Sequence, residues 1–364
     1  MIRVLVVDDS AVVRRIMTDI LSSETDIEVM TAANGSLALS RFDTLQPDVV
    51  TLDVEMGDVS GLDLLRAIRR RSPNVPVIMF SSFTQKAAAT TLDALALGAS
   101  DYVAKPSGLG SRAEVETHVR EQLLPKIRAL ATPIPRSAPP RSPIPAPITP
   151  PSLQLGTGPR KASILAIGAS TGGPNALDTV FRGLSSNLSV PIVIVQHMPP
   201  MFTRLLAERL TAHSPVPVKE AEPGDVLVPG RALIAPGDFH LRVVRDGNRV
   251  VAALDQSPPE NSCRPAADVL FRSVVDVYRG QTLGVVLTGM GQDGLRGCGW
   301  IREAGGQVVV QDEKTSVVWG MPGFVARAGL ADAIVPLDDI AMQILQRVPT
   351  GDGTPRKNEP KHAG

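Results

Sequence analysis

The chain has 364 residues, 43% of them hydrophobic and only 3% aromatic, with 37 Lys and Arg balanced by 37 Asp and Glu. That length suits two domains, and a formal net charge of zero gives no electrostatic case for a nucleic-acid partner or an anionic membrane surface. Two cysteines without a C-x-x-C pair indicate neither a zinc site nor a disulfide framework. No apolar run approaches the roughly 18 residues of a membrane span, and no signal segment precedes the first strand, so a soluble cytoplasmic protein without membrane insertion is expected.

Strands and helices alternate from the start. Ile2 to Val7 is an apolar run ending at Asp8, and Ala11 to Leu21 has helical periodicity. A strand over Glu28 to Ala32 and a helix over Ser36 to Leu45 follow. Next come a strand over Val49 to Leu52 ending at Asp53, a helix over Gly61 to Arg71, and a strand over Val77 to Phe80 ending at Ser81. A helix over Lys86 to Leu97, a short strand at Tyr102 and Val103 before Lys105-Pro106, and a helix over Glu114 to Leu130 complete five βα units. Five such units predict a parallel, doubly wound sheet.

Open α/β sheets collect ligands outside the carboxyl ends of their strands. Asp8, Asp9 and Asp53 fall there together, and three neighbouring carboxylates call for a hard divalent cation, best Mg²⁺. Ser81 and Lys105, also at strand ends, offer a hydroxyl and a cation to a phosphoryl group on an aspartate. Residues 1 to 125 resemble a response-regulator receiver domain, through the Asp8-Asp9 pair, Asp53 in LDVEM, Ser81 in MFSS and Lys105-Pro106 in DYVAKPS. The resemblance implies Asp53 as phosphoacceptor, and Mg²⁺ held by Asp8, Asp9, Asp53 and the main-chain carbonyl of Glu55. It also implies Ser81 and Tyr102 as residues that re-pack on phosphorylation. The loop Gly57-Asp58-Val59-Ser60-Gly61 departs from the family pattern, with glycine where proline is usual, which loosens it.

From Thr132 to Pro159 the composition changes to ten prolines with no periodic apolar pattern. With the residues flanking it, this stretch forms an expected linker over 126 to 160, able to span roughly 80 Å if extended at about 3.1 Å per residue. A second domain is expected over 161 to 348, and a disordered tail over 349 to 364.

In the second domain buried-type strands are predicted over Ile164 to Ile167, Ile192 to Val195, Ala232 to Ala235, Gly284 to Leu287 and Gln307 to Val310. Helices are predicted over Asn175 to Leu184, Phe202 to Thr211, Ala266 to Val277 and Leu295 to Ala304, and a hairpin over Leu241 to Ala253 turns at Asp246-Gly247-Asn248. The fold class is therefore α/β twice over: a (βα)₅ domain, then a doubly wound, mostly parallel domain with a small hairpin.

The first strand of this domain opens into Gly168-Ala169-Ser170-Thr171-Gly172-Gly173-Pro174. Gly168-x-Ser170-x-Gly172 at a strand-to-helix turn presents either a nucleophilic serine or an anion cradle. It lacks the Gly-Lys-Ser/Thr of a P-loop and the middle glycine of a dinucleotide fingerprint. Of five histidines, His197 directly follows the next strand, within plausible reach of Ser170. His213 follows a helix, as a C-terminal dipole partner would. His240 enters the hairpin, and His118 and His362 belong to other segments. Strand Gly284 to Leu287 opens into a glycine-rich loop whose one acid, Asp293, could orient the histidine, cap a helix, or both. The Gly-Met-Gly backbone of that loop could direct an N–H at an oxyanion. Cys263 and Cys298 are read as structural thiols without a partner base.

Residues 162 to 347 resemble the catalytic domain of CheB-type chemotaxis receptor methylesterases, through IGASTGGPNAL, VQHMPP with FTRLLAERL, RPAADVLFRSV, LTGMGQDG and QDEKTSVVWGMP. The resemblance implies Ser170 as nucleophile, His197 as base, Asp293 as its orienter, the Met290 N–H as oxyanion donor and Thr171 beside the substrate. At Ser262-Cys263-Arg264-Pro265 the chain departs from the family, which commonly has histidine at the Cys263 position. The implied function is hydrolysis of glutamate γ-methyl esters on the cytoplasmic helices of chemoreceptors, with deamidation of receptor glutamines by the same route and no cofactor for the esterase. A chemotaxis histidine kinase is the implied phosphodonor. Competing expectations are a receiver-linked binding protein with a non-catalytic anion cradle, and a hydrolase of other protein esters.

Overall fold

A computed structural model describes residues 1–57, 60–82, 84–105, 112–131 and 161–350. Asp58, Val59, Pro106, residues 132–160 and residues 351–364 lie outside the described residues, and with them most of the expected linker and tail. The chain divides into two compact units, Met1–Arg160 and Lys161–Gly364.

In the first unit, strands β1 (Ile2–Val7), β2 (Ile27–Ala32), β3 (Val49–Asp53), β4 (Val77–Ser81) and β5 (Asp101–Ala104) form one parallel sheet in the order β2-β1-β3-β4-β5. Strands β3 and β4 are buried at every residue, as expected where helices cover both faces. Helices α1 (Ala11–Leu21), α2 (Gly35–Leu45), α3 (Gly61–Arg71) and α4 (Gln85–Ala96) connect them. Each begins at a short polar residue whose side chain accepts a first-turn N–H: Ser10, Asn34, Ser60 and Thr84.

The last helix is α5 (Arg112–His118), a π-helical segment (Val119–Leu123) and α6 (Leu124–Ala131) run together. The expected linker start at 126 is thus too early. Ile127 is fully buried in the core of this unit, and Arg128 bonds to Asp26 and Glu24, so helix persists to Ala131.

The second unit is built on seven parallel strands: β6 (Ile164–Ala169), β7 (Ile192–Gln196), β8 (Val218–Glu220), β9 (Ala232–Ile234), β12 (Thr282–Val286), β13 (Gln307–Gln311) and β14 (Ala333–Val335). Their order is β14-β13-β12-β6-β7-β9-β8. Strands β10 (His240–Asp246) and β11 (Arg249–Asp255) form the expected antiparallel hairpin. Helices α7 (Gly173–Arg182), α8 (Phe202–His213), α9 (Ala267–Tyr278), α10 (Leu295–Glu303), α11 (Met321–Arg327) and α12 (Leu337–Arg347) complete the unit. Phe181, Phe202 and Phe271 are its largest fully buried side chains, each contributing about 1.5–3 kcal/mol of burial.

The expected tail begins two residues too soon. The Ser189 N–H donates to the Pro349 carbonyl and Leu188 bridges Thr350, which ties both residues to this unit. The order of the sheet reverses between β6 and β12, because the chain winds outward through β7 and then returns to build β12, β13 and β14 on the other side. A crevice opens at such a switch point, outside the carboxyl ends of the two central strands.

Candidate functional site

Ser170 leaves the carboxyl end of β6 at that crevice. Its N–H donates to the Thr288 carbonyl beyond β12 (3.0 Å), and its own carbonyl accepts the Gly173 N–H (2.7 Å), closing a tight turn into α7. Gly172 has φ +77°, and a Cβ there would stand 2.6 Å from Val317. Across the crevice a Cβ on Gly289 would stand 2.8 Å from the Ser170 Cβ and would also strike the Met321 sulfur. Glycine is therefore required on both loops for them to approach so closely. The Met290 N–H, next along the second loop, has no acceptor among the described residues. Thr171 is buried, and its carbonyl accepts from the Thr288 hydroxyl at 2.9 Å.

His197 follows β7, with its N–H on the Ala169 carbonyl at 3.1 Å. The side chain of Gln196, also buried, donates to the carbonyls of Ser170 (2.9 Å) and His197 (3.3 Å), tying the two turns together. His197 Nε2 lies 2.8 Å from Asp293 Oδ2. The same Oδ2 accepts the Ala267 N–H, and Oδ1 accepts from Asp268 N–H, Gly294 N–H and the Asn261 amide. Asp293 therefore caps α9, whose own N-cap residue Ala266 has no side chain to do so, and holds the histidine with the same carboxylate. Asp293 thus contacts the histidine and caps a helix, although the helix it caps is not the one that follows it in sequence.

Burial pushes the Asp293 carboxyl upward, but His197 and the two helical N–H groups outweigh it and leave the group below its ordinary range. Burial likewise opposes charge on His197, yet the Cys263 sulfur and Asp293 together raise the imidazole to about 10. The structure places His197 with Asp293 and brings Ser170 onto the adjoining strand end, but the Ser170 hydroxyl has no hydrogen-bond partner among the described residues. Catalytic hydrogen bonds commonly tighten only with substrate in place.

Cys263 is not the unpartnered thiol expected from the sequence: its sulfur lies 3.5 Å from His197 Nδ1. The cause is a turn that no local pattern announces, made across a separation of 66 residues. Cys298 is fully buried, as a structural thiol should be. His213 ends α8 and contacts Asp178 at 2.7 Å, whereas His240 opens β10 and is buried. Gln196 and Asn261 were not singled out in the sequence. The one available signal was adjacency, since Gln196 immediately precedes His197.

In the first unit the acidic pocket forms at its own switch point, between β1 and β3. One oxygen from each of Asp8, Asp9 and Asp53 falls within 4.8 Å of the others, with Asp8 and Asp53 buried and Asp9 exposed. This all-oxygen donor set fits Mg²⁺. Lys105 Nζ lies 2.8 Å from Asp53 and 3.1 Å from Asp8. Burial holds Asp53 above the usual carboxylate range despite Lys105. Glu55 donates its N–H to Asp53 and accepts the Ser82 hydroxyl. The fully buried Ser81 hydroxyl is engaged by Thr91 at 2.8 Å and by the Ala87 carbonyl on α4 at 3.4 Å. Tyr102 is buried, and Lys126 stands 5.6 Å over its ring.

The CheB methylesterase family model matches residues 165–344, and the response regulator receiver domain model matches residues 4–115. The protein-glutamate methylesterase/protein-glutamine glutaminase of Trichodesmium erythraeum is 50% identical over 352 residues, covering 95% of this chain and 99% of that protein. The protein of the same name from a Nocardioides species is 50% identical over 357 residues, covering 95% of each. The crystal structure of the Thermotoga maritima CheB methylesterase catalytic domain is 43% identical, with a TM-score of 0.51, and covers 51% of this chain and 99% of that one. With a receiver domain ahead of a CheB methylesterase domain, the chain belongs to the protein-glutamate methylesterase/protein-glutamine glutaminase family.

Proposed function

We propose that the chain is a phosphorylation-activated serine esterase that hydrolyses glutamate γ-methyl esters on chemoreceptors and deamidates glutamines on the same helices. The observation that carries this reading is the 2.8 Å His197–Asp293 pair beside a serine held on a strand–turn–helix elbow. His197 takes the proton of the Ser170 hydroxyl while Oγ bonds to the ester carbonyl carbon. The tetrahedral oxyanion faces the Met290 N–H, a type of donor worth about 3–4 kcal/mol in the transition state. Collapse breaks the C–OCH₃ bond, and His197 returns the proton to the leaving methanol. Water then adds to the acyl-serine by the same route, releasing glutamate and restoring Ser170. With glutamine as substrate, ammonia leaves in place of methanol. Throughout, Asp293 fixes the ring and balances its transient charge, and nothing in this sequence of steps calls for a cofactor.

Control resides in the receiver. Asp8, Asp9, Asp53 and the Glu55 carbonyl would hold Mg²⁺, which would supply charge neutralisation beside a phosphoryl group on Asp53; a chemotaxis histidine kinase is the phosphodonor, and Asp53 is the acceptor. Lys105 pairs with the new phosphoryl oxygens, and Ser81 and Tyr102 re-pack. The receiver restrains the esterase until then, and a tenfold activation requires only about 1.4 kcal/mol of differential stabilisation. No helix among the described residues is long and apolar enough to cross a membrane, which supports action from the cytoplasm on receptor segments exposed there.

A second reading rests on the 3.5 Å contact of Cys263 with His197: a Cys-His-Asp arrangement in which the thiol is the nucleophile. The elbow and the facing Met290 N–H favour Ser170. Methanol release from methylated receptor membranes decides between them, using wild type and Ser170→Ala with and without a small phosphodonor. Loss of activity in Ser170→Ala and phosphodonor stimulation of wild type are expected. Activity that survives Ser170→Ala but not Cys263→Ala establishes the second reading, and no methanol from wild type under either condition overturns both.

A further inference from the structure

Glu260 and Cys263 exchange both main-chain hydrogen bonds (3.1 and 2.9 Å) around a two-residue turn, Asn261-Ser262. Both turn residues have positive φ, 54° and 62°, the left-handed region that a non-glycine residue enters at a cost. The turn is anchored at both ends. The Glu260 carboxylate pairs with Arg272 on α9 (3.1 Å), and Arg264 donates Nε to Asp238 at 3.0 Å.

This backbone directs one side chain at the esterase crevice. The Asn261 Nδ2 donates to Asp293 Oδ1 at 2.8 Å and to Asp268 Oδ2 at 2.9 Å. Both carboxylates are at least 98% buried. Asp268 is otherwise held by the Gly297 N–H at 2.7 Å. An amide with two protons is suited to lie between two carboxylates, because it satisfies one oxygen of each and keeps apart charges that would repel. The two turn residues share a strained conformation, yet only Asn261 reaches the site, since Ser262 is exposed.

We propose that Asn261 is a positioning residue of the esterase reaction. It fixes the rotation of the Asp293 carboxylate so that Oδ2 faces His197, and it screens that carboxylate from Asp268. The proposal rests on the reading of His197 and Asp293 as base and orienter. Asn261 touches neither substrate nor Ser170, so its loss acts on kcat and leaves KM unchanged. The groups facing the carboxylate pair are His197 beyond β7, Glu260 of the turn and Cys298 on α10, while Cys263 of the turn faces His197. With the amide gone, Asp293 loses a donor and stands unscreened beside Asp268, so its carboxylate holds the His197 proton more tightly and the limb of the kcat profile on which His197 loses that proton moves to higher pH.

Asn261→Gly separates the amide from the turn, because glycine adopts positive φ without cost. A residue that served only the turn would be replaced by glycine with full activity. The experiment measures kcat and KM for methanol release from methylated receptor membranes across pH, using the full chain as wild type, Asn261→Gly, Ser262→Gly and Ser170→Ala. It also records the low-field proton resonance of the His197 ring. Asn261→Gly is expected to lower kcat about ten- to hundred-fold, the scale of a lost hydrogen bond to a charged group. KM should stay constant, the limb on which His197 loses its proton should move to higher pH and the ring proton should shift, while Ser262→Gly stays within about twofold of wild type. An Asn261→Gly chain that loses its fold, or that keeps wild-type kcat and pH profile while Ser170→Ala is inactive, overturns the assignment. Full activity in Ser170→Ala instead overturns the reading on which it rests.

Discussion

Asp293→Asn replaces one carboxylate oxygen with NH₂ and tests the central arrangement. In the native site Oδ2 meets His197 Nε2 (2.8 Å) and the Ala267 N–H (2.6 Å), and Oδ1 meets three donors, from Asn261, Asp268 and Gly294. All five partners suit an acceptor. If the new amide keeps its oxygen toward the three donors, its NH₂ faces Ala267 N–H and forces His197 to accept at Nε2. The ring proton then moves to Nδ1, the nitrogen that must take the serine proton. In the opposite orientation three donors face an NH₂, which is worse. The first orientation prevails, with one buried N–H opposed to another, at about 1–3 kcal/mol. Loss of the anion at the N-terminus of α9 adds roughly 1 kcal/mol. Stability should therefore fall by about 2–4 kcal/mol in urea unfolding of the full chain, read at the transition of the second unit. The wrong tautomer should lower kcat for methanol release about 10³- to 10⁴-fold, or roughly 4–5.5 kcal/mol, while KM changes little. A variant within tenfold of wild-type kcat would refute the assignment of Asp293 as the orienter of His197.

Two further predictions concern charge. Cys263→Ala removes the strongest influence raising the imidazole, so the limb of kcat/KM on which His197 loses its proton should move to lower pH and activity near neutrality should rise. In the wild type, a histidine raised from 6.5 to about 10 contributes stability that is complete below the lower value and lost as pH climbs through the upper one. Urea unfolding from pH 6 to 10 should therefore show a fall that is shallower in Cys263→Ala, and equal slopes would refute the coupling. In the receiver, Asp53→Asn should abolish both label uptake from a radioactive phosphodonor and the stimulation of methanol release. Stimulation that persists in Asp53→Asn would place the acceptor elsewhere.

Strand-end chemistry was legible because it is local. A buried apolar run that stops at Asp8, Asp53, Ser170 or His197 marks both the element and the crevice it faces, and both acidic and serine sites were placed at strand ends on that ground. Long amphipathic segments such as Ala11–Leu21 and Phe202–His213 were equally plain. The edge strands Val218–Glu220 and Ala333–Val335 are three residues each, too short for a period to show. Helix α12 was not assigned from the sequence, although Ile340 and Ile344 are fully buried. The supports of the esterase site escaped for another reason. Asn261 meets Asp293 across 32 residues and Cys263 meets His197 across 66, and neither pairing leaves a trace in local spacing. What selects them is a left-handed turn whose residues, Asn and Ser, are common in any loop.

The double duty of Asp293 bears on what happens while the polypeptide is being made. Until α9 docks, its first N–H groups and the carboxylate that contacts His197 lack one another, so the seating of that helix and the setting of the histidine depend on the same atoms. On the proposed mechanism, an emerging or heat-damaged chain that has not seated this helix carries a serine without a working base. On that mechanism, the fold itself withholds hydrolytic power from immature and denatured molecules.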